Sequence, residues 1–374
     1  MSKPIPLSLP NVGLREATAA FLAVRSGWLT QFGREVHRME KNLNSFYSVE
    51  SEKVLETTTT SNGTTALHLA LLSIGIKEGD EVIIPNLCYI AVPNAILYCA
   101  ATPVVVDVSK DSWNIDPSQI KTAISSKTKA IVIVDNYGAP ANVAKIREYI
   151  PAHVQIIHDC AESFPPSQAR SGIGGADLVT LSCYANKILT AGEGGAVIGN
   201  AAAIERIRIL KNQAQNPKQK FSHSELGYNF RLTNVQAAIF NVQWSKRQQL
   251  LKKRTKVFER YISELNKSKI TWKSNLIENS TPWLFTISIE NPIVDMHKVI
   301  EIMKQGGIES RPGFTTITNT EYLSSKIKAV GTLENSNKLS QSLISLPTYP
   351  DLTRKKIRRV IETLEFAIES SAKN

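Results

Sequence analysis

Lys187 is the residue whose surroundings most suggest covalent chemistry. It lies in Ser182-Cys183-Tyr184-Ala185-Asn186-Lys187-Ile188-Leu189-Thr190-Ala191, followed by Gly192-Glu193-Gly194-Gly195. An alternating apolar run from Asp177 to Ser182 precedes this stretch and Ala196-Val197-Ile198 follows it, a pattern that predicts strand, short loop, strand. A lysine on such a loop, with glycines that let backbone approach a planar ligand, is placed to form a Schiff base with an aldehyde cofactor. Lysines on Gly-rich turns are more often plain solvated residues, so the rest of the chain must supply the other parts of a site.

Gly63 sits where the β-branched run 54–60 becomes a helix, with Ala66, Leu67, Ala70 and Leu71 recurring at helical spacing. The first N–H groups of a helix are unpaired and its dipole is positive there, which suits a phosphate. Gly63 permits close approach and Thr64 adds a hydroxyl, although simple N-capping by Ser61, Asn62 or Thr64 explains the same residues. Asp159 closes the apolar strand that starts at Val154, and an acid in that position must be paired or bound. It reads either as the cap of a helix beginning near Cys160-Ala161-Glu162 or as the partner of the protonated ring nitrogen of pyridoxal phosphate (PLP), which makes that ring an electron sink. Tyr89, shortly after Pro85, reads as core packing or as a ring stacked on a cofactor.

The elements that must position these residues alternate along the chain. Apolar spacing predicts helices over 14–24, 33–46, 91–100, 117–124, 143–150 and 201–212, and strands over 81–84, 104–107, 130–134 and 154–159. Continuous apolar strands separated by helices predict a mainly parallel sheet covered on both faces, with right-handed crossovers gathering the strand C-termini on one edge. A single helical pattern runs from 233 to about 265, and its Lys/Arg-rich second half bridges to a smaller α+β unit. The expected division is a large α/β domain over 1–245 and a small domain over 246–374.

Composition narrows the function. The 374 residues are 42% hydrophobic and 21% charged, ordinary for a soluble globular protein. Prolines at positions 4, 6 and 10 stand where a secretory signal would be apolar, and Pro85, Pro93 and Pro103 break the most membrane-like region, so a cytoplasmic protein without a membrane span is expected. Cys88, Cys99, Cys160 and Cys183 show neither zinc nor disulfide spacing, and the six histidines form no ligand motif, so no metal is expected. The net charge of +11 concentrates in runs near 246–254 and 354–359, which read as solvated helix faces. Such a field also steers small anions such as nucleotide-linked sugars, while no pattern of a nucleic-acid binder accompanies it.

Five motifs in order, Ser61-Asn62-Gly63-Thr64-Thr65-Ala66-Leu67, Gly79-Asp80-Glu81-Val82-Ile83, Asp159-Cys160-Ala161-Glu162, Asn186-Lys187 with Gly192-Glu193-Gly194-Gly195, and Gly227-Tyr228-Asn229-Phe230-Arg231, resemble the DegT/DnrJ/EryC1/StrS family of sugar aminotransferases. The resemblance runs from about Leu14 to Arg231, with weaker echoes at Gly307 to Pro312 and Leu346-Pro347. It implies the aspartate-aminotransferase fold (PLP fold type I). It also implies that Lys187 bonds the cofactor and then moves protons, Asp159 pairs with the ring nitrogen, Tyr89 stacks on the ring and Glu162 lies near the ring hydroxyl. Gly63, Thr64 and Ser182 would hold the phosphate, and Asn229 would reach the cofactor of the neighbouring subunit in a homodimer with shared active sites. L-glutamate would give the amino group and a nucleotide-linked keto sugar would receive it, in the making of deoxyaminosugars for polysaccharides or antibiotics. Within the family the motifs look most like the perosamine-synthase type, which aminates C4 of a GDP-linked 4-keto-6-deoxy sugar.

The sequence departs from the family at His158, where an acid is usual, at Cys88, and at Ser163-Phe164-Pro165-Pro166. Gly313-Phe314-Thr315-Thr316-Ile317-Thr318 also replaces an aromatic-rich segment that lies near the sugar nucleotide in relatives. These departures bear on the acceptor and leave open an aminotransferase of a cyclitol or other non-nucleotide ketone. Dehydratase relatives carry histidine where Lys187 stands, and the complete cofactor set weighs against a non-catalytic PLP-binding protein.

Overall fold

Valine and isoleucine runs free of charge build the centre of the molecule, whose computed structural model describes residues 3–49, 54–166, 173–291 and 293–371. In the first part of the chain the strands are β1 (Leu55–Thr60), β2 (Glu81–Pro85), β3 (Thr102–Val106), β4 (Thr128–Val134), β5 (Gln155–Asp159), β6 (Leu178–Ser182) and β7 (Gly195–Asn200). They are followed by β8 (Trp272–Lys273), β9 (Phe285–Ile289), β10 (Arg311–Pro312), β11 (Lys328–Ala329) and β12 (Leu343–Leu346). The larger sheet has the order β1-β7-β6-β5-β4-β2-β3-β11. Its strands are parallel except β7, which is antiparallel to both β1 and β6.

Period-two alternation sends each central strand's side chains to opposite, equally buried faces. Val82, Ile84, Val132 and Ile157 pack under the helices Gly63–Ser73, Ala91–Tyr98 and Ala201–Leu210, while Ile83, Ile131, Ile133 and Ile156 meet Pro117–Ala123 and Val143–Tyr149. The helices Arg34–Tyr47 and Asn234–Ser245 bury Val36, Met39, Leu43 and Phe240 with Val179, Leu181 and Ile198. The smaller sheet, β10-β12-β9-β8, is antiparallel and packs Phe285 and Ile287 against Val257 and Tyr261 of Arg247–Leu265, Val299 of Met296–Gln305, and Val360 and Leu364 of Arg354–Ser371. Two contacts link distant parts of the chain: Ile5 bridges to Ile308, and β11 pairs in parallel with β3.

Two expectations change. The helix read as continuous over 233–265 is two helices, broken at Lys246, whose backbone leaves helical values at φ −109° and ψ 14°. Neither glycine nor proline marks the break. It coincides with a tertiary contact, the Lys246 ammonium lying 2.6 Å from Glu16 Oε1 and donating to the Asn11 carbonyl at 2.8 Å. No helix follows Asp159, where residues 161–163 form turns. The short helix Glu334–Ser342 has no local start signal, because its start is held from a distant strand end: Asp107 accepts from the N–H groups of Asn335 at 2.9 Å and Ser336 at 2.8 Å. Among the described residues, no helix is long and apolar enough to cross a membrane.

Candidate active site

Because β1, β2, β4, β5 and β6 are mutually parallel, their C-terminal ends share one edge of the sheet. A cavity of about 420 Å³ opens there, lined by Gly63, Thr64, Tyr89, Asp159, Glu162, Ser182 and Lys187. These are seven of the eight residues singled out from the sequence. The eighth, Asn229, is exposed and lies outside this cavity, its backbone bridged to Asn212.

The lysine stretch is an antiparallel hairpin: β6 and β7 pair from Leu178↔Gly199 to Ser182↔Gly195, and residues 183–194 form the loop. Gly195 also pairs with Thr60 of β1, so the hairpin closes beside the start of the helix Gly63–Ser73. The approach is tight: a Cβ on Gly195 would lie 2.5 Å from the Asn62 carbonyl oxygen, and one on Gly63 would lie 2.9 Å from Ser182 Cβ. Asn62 caps the helix by accepting from Thr65 N–H at 2.9 Å, while the N–H groups of Gly63 and Thr64 make no hydrogen bond within the described chain. Two free N–H groups at a positive helix end, with the Ser182 hydroxyl alongside, form an anion cradle.

Asp159 is 6% exposed, and both its hydrogen bonds fall on Oδ1, which accepts from Ala161 N–H at 2.9 Å and Thr180 Oγ1–H at 3.4 Å. Oδ2 is left for a cationic partner in the cavity. Burial raises the Asp159 carboxyl above its usual range, against the pull of the Ala161 N–H and of Lys187. Glu162 Oε2 accepts from Tyr137 N–H at 2.7 Å, and burial pushes its carboxyl up to about 7 despite Lys187. Burial drives the Lys187 amine the opposite way, below its ordinary value, while Glu162 and Asp159 hold it back. Lowering of this kind favours the neutral amine, the form that attacks an aldehyde, over the ammonium. Among the described residues Lys187 Nζ makes no hydrogen bond, and it rests 3.9 Å from the centroid of the Trp283 ring.

The expectation of a core role for Tyr89 does not hold, since it is 55% exposed and its ring lies 5.8 Å from Phe314. The cavity walls also include Tyr137 and Trp283, which no sequence motif marks, together with Tyr184 of the lysine loop and Phe314 of the segment that departs from the family. Tyr137 adopts a left-handed φ of 53° directly after β4, and nothing in the local pattern announces it. Arg311, within the 307–312 segment, also lines the cavity. Behind the site, His158 Nε2–H donates to Asp135 Oδ1 at 2.7 Å, and the Ser163 hydroxyl donates to Asp135 Oδ2 at 2.5 Å. Asp135, His158 and Cys160 thereby bring metal-ligand atom types within 4.8 Å of one another, a cluster that sequence spacing did not reveal.

An anion cradle at a helix start, a buried carboxylate with one open oxygen and a lysine of lowered pKa fit the phosphate, ring nitrogen and aldehyde of PLP. On a mainly parallel sheet of this connectivity they define a PLP enzyme of fold type I. The model of the DegT/DnrJ/EryC1/StrS aminotransferase family matches residues 13–365, and the chain belongs to that family. It is 32% identical to the GDP-perosamine synthase of Escherichia coli O157:H7 over 97% of this chain and 98% of that protein. Identity to the GDP-perosamine synthase of Vibrio cholerae is 31%, over 96% and 98% of the two chains. Helicobacter pylori PseC, an aminotransferase involved in the biosynthesis of pseudoaminic acid, shares the fold with a TM-score of 0.89 at 23% identity, covering 98% of this chain and all (100%) of its own. The protein is a PLP-dependent aminotransferase.

Proposed function

We propose that the enzyme moves the amino group of L-glutamate to a nucleotide-linked keto-deoxysugar, a 4-keto-6-deoxy sugar of the perosamine type, in the cytoplasm. The observation that carries this reading is the convergence of Lys187, Asp159, Glu162, Gly63, Thr64 and Ser182 on one cavity, in a chain about one-third identical to GDP-perosamine synthases. When bound, PLP supplies an aldehyde carbon and a ring that delocalises negative charge. Gly63, Thr64 and Ser182 would hold the phosphate, Asp159 would keep a proton on the ring nitrogen, and Tyr89 would cover the ring. Lys187 would hold the aldehyde carbon through Nζ, and when free it would take up a proton as an amine and return it as an ammonium. Glu162, near neutrality in its titration, lies close enough to bias that charge.

Arg311, on the exposed side of the cavity, offers a planar guanidinium to the diphosphate of a sugar nucleotide. The reading includes a homodimer in which Asn229 completes the partner's phosphate site, supported by its exposure outside its own cavity. Exposed Phe21, Leu22, Trp28 and Phe32 give the apolar surface such a contact requires. The division of the chain near 245 into a cofactor domain and a smaller cap belongs to the same proposal.

Phe314 favours a second reading. Stacked on Tyr137 at 5.0 Å, it places an apolar ring on the wall expected to meet the acceptor, which suits a cyclitol or other non-nucleotide ketone. One experiment separates the two: load the enzyme with PLP, add L-glutamate, and offer nucleotide-linked 3-keto and 4-keto sugars beside cyclitol ketones. Amination of a GDP-linked 4-keto-6-deoxy sugar supports the first reading. Turnover only of a non-nucleotide ketone overturns it.

A further inference from the structure

The strap of residues 281–284, leading into β9, is held between the two sheets by contacts that ordinary packing does not require. Thr281 N–H donates to the Gly138 carbonyl at 2.8 Å and its hydroxyl donates to the Ser163 carbonyl at 3.2 Å. Trp283 Nε1–H donates to the Asn186 carbonyl at 3.1 Å, one residue before Lys187. From the other side the Arg254 guanidinium, 1% exposed, donates to the Trp283 carbonyl at 2.5 Å. Among the described residues Arg254 Nε has no partner, and burial, with no neighbouring carboxylate to oppose it, lowers the guanidinium below its ordinary value. A buried guanidinium without a counter-ion is costly to keep.

We propose that Trp283 is a positioning residue for Lys187: its indole N–H fixes the lysine loop at Asn186, its ring face receives Lys187 Nζ when the lysine is free and protonated, and Arg254 fixes the strap that carries it. The inference rests on Lys187 being the cofactor-bonding lysine. The side chain must swing away from the cofactor during each half of the reaction and return to the same place. At 3.9 Å from the ring centroid the ammonium is within cation–π range, and this face of the indole is screened from water because Trp283 is 4% exposed. Asp159, Glu162, Glu193 and Arg311 are the other charged groups on the cavity, with Tyr89, Tyr137 and Tyr184, and substitution at 283 leaves all of them in place.

Removing the ring removes a contact specific to the protonated lysine, so Lys187 loses its proton at lower pH. The test is the pH dependence of Lys187 acylation, followed by peptide mass spectrometry, in enzyme loaded with pyridoxamine phosphate, where the lysine is free. The midpoint falls in the order wild type, Trp283→Phe, Trp283→Leu, with the leucine variant lower by roughly 0.4–1.5 pH units. The phenylalanine variant, which keeps a ring face, decides the matter if the leucine variant does not fold. Coincident midpoints for the folded variants and wild type overturn the proposal. Borohydride reduction of PLP-loaded wild type is run alongside: an adduct absent from Lys187 refutes the cofactor assignment, whereas an adduct on Lys187 with unchanged midpoints refutes the role of Trp283 alone.

Discussion

Replacing Asp135 with asparagine tests the electrostatics behind the candidate site. Asp135 is 0% exposed, His158 is 3% exposed, and they meet at 2.7 Å. Burial alone would lower the imidazole pKa, but Asp135 and then Cys160 overcome it, and His158 is raised to about 10. A folded-state pKa above the unfolded value means that the native protein holds the extra proton. Its stabilisation is therefore complete below about pH 6.5 and lost as pH rises through about 10. Each pH unit within that window changes stability by up to about 1.4 kcal/mol, and loss of one partner of a buried pair costs about 3–5 kcal/mol. Asp135→Asn keeps the shape and an oxygen acceptor but leaves His158 neutral. Equilibrium urea unfolding at pH 7 should place the variant about 3–4 kcal/mol below wild type, and by pH 10 most of that gap should close. A gap of the same size at both pH values would refute the assignment of a protonated His158.

Other substitutions probe the cofactor cradle and its neighbours. Gly63→Ala puts a methyl 2.9 Å from Ser182 Cβ, and overpacking of about 1–3 kcal/mol should weaken PLP binding roughly 5- to 150-fold, read by titrating PLP into the apoenzyme. Unchanged affinity would remove Gly63 from the phosphate site. Asp159→Asn should retain the borohydride adduct on Lys187 yet slow the glutamate half-reaction by roughly 100-fold or more, because the ring nitrogen loses its charged partner; near-wild-type rates would show that another group holds that proton. For shared sites, inactive Lys187→Ala and impaired Asn229→Ala chains, refolded together in equal amounts, should recover about one quarter of wild-type activity, since a mixed dimer restores one of its two sites. Absence of recovery above the two separate variants would mean that Asn229 serves its own chain.

The central strands were legible because buried parallel strands are almost purely apolar, and the turn residues between them fix where each one ends. Gly63, Asp159 and Lys187 were legible for a related reason: each is a chemically odd residue at or soon after the C-terminal end of a strand, and strands running the same way gather those ends on one edge. What escaped the sequence is held together by distant contacts. The break at Lys246 coincides with an ion pair to Glu16, and the helix beginning at Glu334 is capped by Asp107. Trp283 carries no motif, and its relation to Lys187 appears only once the strap reaches Asn186. His158 stood out as a departure from the family, but its partner Asp135 comes from the end of β4 and lay outside any local reading.

The account depends most on Lys187 bonding the cofactor. Purified protein is incubated with PLP, reduced with borohydride, digested and mapped by mass spectrometry. The account predicts one phosphopyridoxyl adduct, on the peptide carrying Lys187, and none on that peptide in Lys187→Ala. A wild-type adduct on a different lysine, or no adduct at all, would contradict it.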